Sequence, residues 1–307
     1  MKYTLITGAT GFIGHNLIKD LSKRKIKVLV KNKKSHIKNY KNIYIDISKK
    51  KINFNFLKDV SSIIHLASIS DERSKKNKNK NKIKQTNYIF IKNLIKESKK
   101  YNVKRIIKIS TAKVYGLNPN KKITETSKLK PYNNYINYHA KSDYFLYNEI
   151  NKKKLDIIIL RLSNGFGVPK NFNNDCWGLI VNNFCYNAFK YKKIIIKSSA
   201  NYKKNFIDMK NIIKIIKFFD SYPKKISGIY NIGSNKSFSL DQIAKIVKKL
   251  YLKRKITIVF PKNKKIKNIK FKYDTSKLKK LGFRTVDKLN EEIKNIFNFL
   301  KKHKKYV

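Results

Sequence analysis

The chain has 307 residues, 41% of them hydrophobic, and is long enough to bury one large core or two smaller ones. It contains no run of about 18 apolar residues, so we predict no membrane-spanning helix. Glycines interrupt the apolar N-terminal stretch, which argues against a signal peptide. The two cysteines, Cys176 and Cys185, indicate neither a disulfide framework nor a metal site, and we expect a cytoplasmic protein.

The net charge of +56 arises from 74 Lys and Arg residues against 18 Asp and Glu residues. Such a charge, taken alone, indicates nucleic acid or an anionic membrane surface as a partner. The excess is almost entirely Lys, is spread evenly, and accompanies many Asn and Ile residues, all of which have A/T-rich codons. We therefore interpret the charge as a genome composition bias and expect no specific nucleic-acid partner.

Residues 1–7 form a predicted apolar strand that runs into a glycine turn and then an amphipathic helix. Glycines at G-x-x-G-x-x-G spacing let a backbone turn tightly and approach phosphates, and the helix N-terminus offers free N–H groups and a positive dipole end. This arrangement predicts a dinucleotide site whose residues are Gly8, Thr10, Gly11, Phe12, Ile13 and Gly14.

Apolar strands alternate with helical patterns along the first half of the chain. We predict strands at residues 27–30, 43–46, 62–66, 105–110, 156–162 and 228–232, and helices at 12–24, 81–101 and 132–153. This alternation predicts an α/β fold with a doubly wound parallel sheet. Residues 1–165 would form a dinucleotide-binding domain, completed by a returning strand near 228–232, and residues 166–307 a smaller C-terminal substrate lobe with helices near 177–190, 209–220, 239–251 and 287–304.

Two local features refine this outline. Residues 75–84, KKNKNKNKIK, have low complexity and no apolar face, which predicts a mobile loop. Ser239 and Gln242 have the spacing of a capping box, which predicts a helix start.

The end of the second predicted strand carries cations where many dinucleotide sites carry an acid that holds the ribose hydroxyls. Lys31 follows the strand directly, with Lys33 and Lys34 close behind. Cations there suit the 2′-phosphate of NADP, although Lys is abundant throughout the chain. We expect NAD or NADP as cofactor, and this feature favours NADP.

Ser110-Thr111-Ala112-Lys113-Val114-Tyr115-Gly116 follows a buried strand in the middle of the predicted sheet. Together with the glycine segment, it resembles the extended short-chain dehydrogenase/reductase superfamily, in particular the nucleotide-sugar branch of its NAD-dependent epimerase/dehydratase family. The resemblance implies a Rossmann-type fold, and it implies that Thr111 is the hydroxyl that hydrogen-bonds the reacting substrate oxygen. Family dehydratases place an Asp-Glu pair directly after this hydroxyl, where this chain has Ala112 and Lys113. The missing acid and base argue against a 4,6-dehydratase.

The same resemblance assigns further cofactor contacts. Asp46 and Ile47 match the family's adenine-contacting acid and its apolar neighbour. Leu66, Ala67 and Ser68 match the strand end that lies beneath the cofactor.

The family's catalytic pair, Y-x-x-x-K, is altered in this chain. Tyr138 has Ser142 four residues on and Lys141 only three residues on. Residues at i and i+3 still share a helix face, so Lys141 could serve the site with adjusted geometry. Alternatively, Ser142 replaces the lysine and proton transfer is weakened. We predict Tyr138 as the acid/base and Lys141 as its candidate partner.

Downstream segments extend the resemblance to about residue 300. Leu160-Arg161-Leu162-Ser163-Asn164 resembles L-R-x-x-N, in which the Asn contacts the substrate diphosphate region. Residues 203–208, KKNFID, resemble R-R-D-F-I-x, with Lys204 in the place of a phosphate-gripping Arg. Asn164 and Lys204 are therefore the predicted substrate-binding residues.

These resemblances imply an NAD(P)-dependent epimerase or ketoreductase that acts on a nucleotide sugar in surface-polysaccharide sugar synthesis. The altered Tyr–Lys pair and the high charge leave an alternative: a non-catalytic dinucleotide-binding module, redox-sensing or RNA-associated. Superfamily relatives often dimerise through two long helices, which here would be 81–101 and 132–153, so a homodimer is expected.

Overall fold

The computed structural model describes residues 2–21, 25–70, 80–117, 122–198, 200–251, 255–260 and 271–307. The strands are β1 (Tyr3–Thr7), β2 (Ile26–Val30), β3 (Lys41–Tyr44), β4 (Val60–His65), β5 (Arg105–Thr111), β6 (Lys122–Ile123), β7 (Asp156–Leu162), β8 (Asn164–Phe166), β9 (Lys193–Ile195), β10 (Lys203–Asp208), β11 (Gly228–Ile232), β12 (Ser237–Ser239), β13 (Thr257–Val259) and β14 (Lys272–Tyr273). Seven of them form one sheet in the order β11-β7-β5-β4-β1-β2-β3. Neighbours from β7 to β3 are all parallel, which confirms the α/β fold.

The helices are α1 (Phe12–Asp20), α2 (Lys80–Lys84), α3 (Phe90–Lys100), α4 (Asn134–Asn151), α5 (Ile180–Tyr191), α6 (Met209–Ser221), α7 (Leu240–Leu250), α8 (Ser276–Lys280) and α9 (Leu289–Lys302). A π-helical turn over Gln85–Ile89 joins α2 to α3. None of the helices in the described part of the chain is both long enough and apolar enough to span a bilayer.

The low-complexity segment differs from its predicted state as a mobile loop. Its last five residues, Lys80–Lys84, are helical, so the loop prediction is wrong for them, whereas the predicted helix at 81–101 covers four of the five. The reason is Ile83, which is buried and gives the segment the apolar anchor that its composition hides. Residues 75–79 lie outside the described residues, as do residue 1 of the first predicted strand and residues 22–24 of the first predicted helix.

The chain divides into two compact units. The first contains Met1–Leu117, Lys128–Leu162 and Ile213–Tyr230, and the second contains Asn118–Ser127, Ser163–Ile212 and Asn231–Val307. In the first unit, aliphatic side chains of the parallel strands pack with those of α3 and α4, among them Phe90, Ile91, Leu94, Ile95 and Leu146. Strands buried on both faces are the reason why these segments read as continuous apolar runs.

The second unit has its own core, in which α5, α7 and α9 pack around Val181, Phe184, Ile243 and Ile293. Its strands form three small sheets, β12-β10-β8, β13-β9 and β14-β6. The predicted capping box is confirmed, because the Ser239 side chain accepts the Gln242 N–H while the Gln242 side chain accepts the Ser239 N–H. Cys176 and Cys185 are both buried and free.

Arg105 ties the start of β5 to the end of α6 within the first unit. Its Nε donates to the buried Asp156 carboxylate at 2.7 Å. Its two Nη atoms donate to backbone carbonyls in the last turn of α6 and just after it, those of Phe219, Asp220, Tyr222 and Lys224. Carbonyls at a helix end lack intrahelical partners, so one guanidinium satisfies two of those at the end of α6.

We expect Arg105→Gln to lower the free energy of unfolding by about 3 kcal/mol, because it leaves the buried Asp156 carboxylate without its cation. The exposed Arg284 offers a matched control, and Arg284→Gln should change that free energy by less than about 0.5 kcal/mol. Urea unfolding at neutral pH measures both. Equal losses in the two variants would contradict the role of Arg105.

Candidate dinucleotide and catalytic site

The turn between β1 and α1 has room only for glycine at two positions. Gly8 has φ +74°, and a Cβ there would lie 2.6 Å from the Ala67 backbone nitrogen. A Cβ on Gly14 would collide with the carbonyl oxygen of Gly8. The Gly11 N–H donates to that same oxygen at 3.0 Å and closes the turn. A backbone this tight leaves space for a phosphate group to approach it closely.

The other predicted residues of the turn lie around the start of α1. Thr10 and Gly11 are exposed, Phe12 is buried and Ile13 is half-buried. Because Gly11 precedes the helix, no side chain caps the first N–H groups of α1, and the first turn carries no acid. A helix start of this kind, free of capping side chains and of negative charge, suits a pyrophosphate.

The segment after β4 is held beside this turn. The Leu66 N–H donates to the Thr7 carbonyl at 3.1 Å, and the Ala67 N–H donates to Thr7 Oγ1 at 3.3 Å. Ser68 is exposed. Farther along, the Asn87 side chain brackets the backbone of Ile69, accepting its N–H at 2.8 Å and donating to its carbonyl at 3.2 Å. The structure thus brings the predicted strand-end contacts next to the glycines.

Lys31 and Asp46, which follow β2 and β3, form an ion pair with a Nζ–Oδ2 distance of 3.6 Å. Burial alone would raise the pKa of Asp46, but hydrogen bonds from Ser48 and the charge of Lys31 together hold it below its usual value. Ile47 is half-buried beside them. The Lys31 side chain is mostly exposed, so its ammonium remains accessible to a further anion.

The carboxyl end of β5 presents Thr111. Its Oγ1 accepts the Lys113 N–H at 3.2 Å and so caps the short 3-10 turn Ala112–Tyr115. The turn ends at Gly116, whose φ of +109° favours glycine. Thr111 is half-buried, which leaves part of its side chain open at the sheet edge where ligands of such folds bind.

Helix α4 carries Tyr138, Lys141 and Ser142, and packs on β5, β7 and the turn after β5. Tyr138 is half-buried, and Lys141 is exposed with its Nζ 5.9 Å from the centre of the Tyr138 ring. Ser142 has 0% exposure, and its Oγ has no hydrogen-bond partner among the described residues. Of the two residues that compete for the role of the family lysine, Lys141 therefore lies at the tyrosine ring and Ser142 faces the protein interior.

Behind this helix face lies a buried charged cluster that the sequence analysis did not identify. The Asp143 carboxylate accepts hydrogen bonds from Lys108 at 2.7 Å and from both Ser110 and Arg161 at 2.9 Å. Arg161 also donates to the Tyr115 hydroxyl at 2.9 Å. The available signal was the presence of Lys108 and Arg161 within otherwise apolar strands, since buried cations require a partner.

Electrostatics within the cluster follow from burial and from the ion pairs. Burial alone would raise the pKa of Asp143, but Lys108 and Arg161 hold it below its usual value. Burial lowers the pKa of Lys108 despite the attraction of Asp143. Burial, with Lys108 adding to it, lowers the pKa of both His65 and His139 to about 3, so both are neutral at physiological pH.

The second unit contains the two predicted substrate residues. Asn164 lies on β8, and its Nδ2 donates to the Asn205 carbonyl of β10 at 2.8 Å. Lys204 is half-buried on β10, with its Nζ 4.9 Å from the centre of the Tyr202 ring. In the described part of the chain, no group of three or more His, Cys, Asp or Glu residues is arranged to hold a metal ion.

Known proteins resemble this chain in sequence and in fold. ADP-L-glycero-D-manno-heptose-6-epimerase of Brachyspira hyodysenteriae is 27% identical over 325 residues, covering 99% of each chain. The UDP-N-acetylglucosamine 4-epimerase of Methanobrevibacter ruminantium, solved with UDP-N-acetylmuramic acid, matches with TM-score 0.84 at 23% identity and covers 98% of each chain. The UDP-glucuronic acid 4-epimerase of Bacillus cereus, solved with UDP-glucuronic acid and NAD, matches with TM-score 0.82 at 20% identity, covering 98% and 99%. The two structures share the fold of this chain.

The model of the NAD-dependent epimerase/dehydratase family matches residues 4–233, which include the glycine turn, the Thr111 strand end and the Tyr138 helix. The glycine cradle and the uncapped start of α1 fit the dinucleotide for which that family is named. By this match, which covers most of its length, the chain belongs to the NAD-dependent epimerase/dehydratase family.

Proposed function

We propose that the protein is an NAD(P)-dependent epimerase or ketoreductase that acts on a nucleotide sugar, in the synthesis of sugars for a surface polysaccharide. The observation that carries the proposal is the position of the Lys141 ammonium, 5.9 Å from the centre of the Tyr138 ring, on a helix that packs against the strand ending in Thr111. The relatives include nucleotide-sugar epimerases and also dTDP-D-glucose 4,6-dehydratases, so their names support the substrate class and do not choose between reactions.

The mechanism divides the chemistry between cofactor and protein. The bound dinucleotide supplies hydride transfer. Tyr138 exchanges a proton with the sugar hydroxyl, and the Thr111 hydroxyl donates a hydrogen bond to the same oxygen. Lys141 attracts the negative charge that develops on the phenol oxygen as the proton leaves it. Asn164 and Lys204 would bind the diphosphate of the substrate.

The residues after Thr111 separate the possible reactions. Elimination of water needs a further acid and base, whereas neither Ala112 nor Lys113 carries the carboxyl group found at these positions in the family dehydratases. Epimerisation and ketone reduction need only the tyrosine, the hydroxyl and the cofactor. The proposal therefore favours these two reactions over a 4,6-dehydratase. The homodimer through the two long helices of the first unit stays a prediction.

Tyr138→Phe is expected to lower kcat by about 100-fold or more on the nucleotide sugar that the enzyme accepts, since the proton acceptor is lost. The test is turnover of UDP-, dTDP-, GDP- and CDP-sugars, including 4-keto forms, with NAD(H) or NADP(H) in D₂O, followed by mass and retention time. Tyr144→Phe is the matched control, because Tyr144 lies on the same helix with 69% exposure. It should turn over substrate like the wild type.

Two outcomes of this test contradict the proposal. One is undiminished turnover in Tyr138→Phe. The other is tight cofactor binding without turnover of any sugar, which would favour the non-catalytic binding module. In that case RNA binding that persists at physiological salt would identify an RNA-associated role, because non-specific binding through lysines collapses steeply with salt.

Gly14→Ala should weaken cofactor binding by about 100-fold, because the new Cβ meets the Gly8 carbonyl and forces the phosphate-binding turn apart. Gly282→Ala serves as control, since Gly282 has φ +88° but open space around its Cβ position. That variant should lose stability and keep cofactor affinity. Titration of NADPH fluorescence measures the cofactor affinity of both variants. Unchanged affinity in Gly14→Ala would contradict the assignment of the glycine turn to the cofactor site.

We further propose that NADP is preferred over NAD, because Lys31 offers an exposed ammonium next to the end of β2. Lys31→Gln should weaken NADP binding by about tenfold and leave NAD binding nearly unchanged, as a hydrogen bond to a charged group contributes roughly 1.5–3 kcal/mol. Lys38→Gln, at an exposed lysine nearby, is the control. Calorimetric titration with NAD and with NADP measures these affinities. Equal affinities of the wild type for the two dinucleotides would contradict the preference for NADP.

A further inference from the structure

We propose that Asp143 is a positioning residue: its buried ion pairs set the rotation and depth of α4 against β5 and thereby hold Tyr138 in place relative to Thr111. The inference rests on the proposed function, because it concerns Tyr138, which would exchange a proton with the substrate hydroxyl, and Thr111, which would donate a hydrogen bond to the same oxygen. It adds three residues, Lys108, Asp143 and Arg161, whose role neither the resemblance nor the comparisons assign.

The contacts of Asp143 connect the helix with two strands at once. Lys108 and Ser110 lie on β5, and Arg161 lies on β7. Ser110 directly precedes Thr111. The hydrogen bond from the Ser110 hydroxyl to Asp143 therefore ties the helix to the residue next to the proposed substrate-binding hydroxyl. Asp143 has 0% exposure, so water does not replace these bonds.

The distance from Asp143 to Tyr138 along α4 is short. The two positions are five residue steps apart, which corresponds to about 7.5 Å and about 1.4 turns of helix. A helical segment this short moves as a rigid unit, so a rotation of the helix at Asp143 also rotates Tyr138. Rotation by one residue amounts to about 100° and would carry the phenol away from the sheet edge.

The other inward-facing polar groups of this stretch do not fix the helix. Both ring nitrogens of His139 and the Oγ of Ser142 are buried without a hydrogen-bond partner among the described residues. The apolar side chains Ile136 and Leu146 flank them, and apolar contacts are non-directional. Among the described residues, the directional side-chain contacts of the inward face between Tyr138 and Leu146 are those of Asp143, and the next along the helix is the ion pair of Glu149 with Lys99 of α3.

Stability alone does not account for the cluster. It places two cations and one carboxylate in the protein interior, and all three side chains are nearly inaccessible. Replacing such buried ionic groups by apolar residues is often neutral or stabilising, whereas their fixed geometry specifies register. A geometric role for the site therefore explains the cluster better than a contribution to folding.

The test removes the whole charge cluster while it preserves the packed volume. The triple variant Lys108→Met/Asp143→Leu/Arg161→Met should remain folded, with kcat lowered by about tenfold or more and KM within about threefold of wild type. In addition, 3-fluorotyrosine incorporated throughout the protein reports on position 138 by ¹⁹F NMR, with the resonance assigned by its loss in Tyr138→Phe. That resonance should shift in the triple variant.

Lys27→Met provides the matched control. Lys27 is also a buried strand lysine paired with one aspartate, Asp59, but it lies on β2, away from α4. It should leave kcat and the resonance of position 138 as in the wild type. If the triple variant does not fold, Lys108→Met is measured instead, because Asp143 then keeps Arg161 as its counterion.

The outcomes separate the two proposals. Unchanged kcat and an unchanged resonance in a folded triple variant, or in Lys108→Met, would overturn the positioning role. A shift of the position-138 resonance in Lys27→Met as large as in the triple variant would overturn the positioning role as well. Absence of turnover in the wild type would count against the proposed function, while the resonance of position 138 would still decide whether Asp143 positions the tyrosine.

Discussion

The parallel order of the central sheet is the constraint on which the site depends. Since the strands run in one direction, their carboxyl ends share an edge, and β4 pairs with β1 on one side and with β5 on the other. The segments that follow these three strands are therefore neighbours. Gly8, Ala67 and Thr111 are far apart in the chain, yet pairing alone brings them to the same edge. Side-chain chemistry then acts on a geometry that the backbone has already defined.

The scarcity of acidic residues shapes how this basic chain folds. The chain has 74 Lys and Arg residues against 18 Asp and Glu residues, so the presence of a lysine at the surface says little about function. A buried cation, in contrast, requires one of the few acids as a partner. Asp156 neutralises Arg105 at one end of β5, and Asp143 pairs with Lys108 and Arg161 nearer the other end. In a chain of this composition, the acids therefore point to the structurally important contacts more directly than the lysines do.

The sequence predicts those features whose signal is local. The alternation of apolar strands and helices predicts the sheet, and the glycine spacing predicts the turn, because both depend on residues adjacent in the chain. The low complexity of residues 75–84 predicted a loop, and this prediction is wrong at Lys80–Lys84 because a single buried isoleucine outweighs a polar composition. The partners of Asp143 were missed for a different reason. They lie 35, 33 and 18 residues away, and only the packing of α4 on β5 and β7 brings them together.

Helix geometry explains why Lys141 and Ser142, adjacent on α4, face different environments. Relative to Tyr138, a residue at i+3 lies about 60° to one side around the helix axis, and a residue at i+4 lies about 40° to the other. The rotational setting of α4 decides which of the two points towards solvent and which towards the sheet. The contacts of Asp143 turn Ser142 inward, and Lys141 is left exposed beside the tyrosine ring. Under the proposed function, a lysine at i+3 would therefore take the place of one at i+4, with Asp143 holding the rotation of the helix.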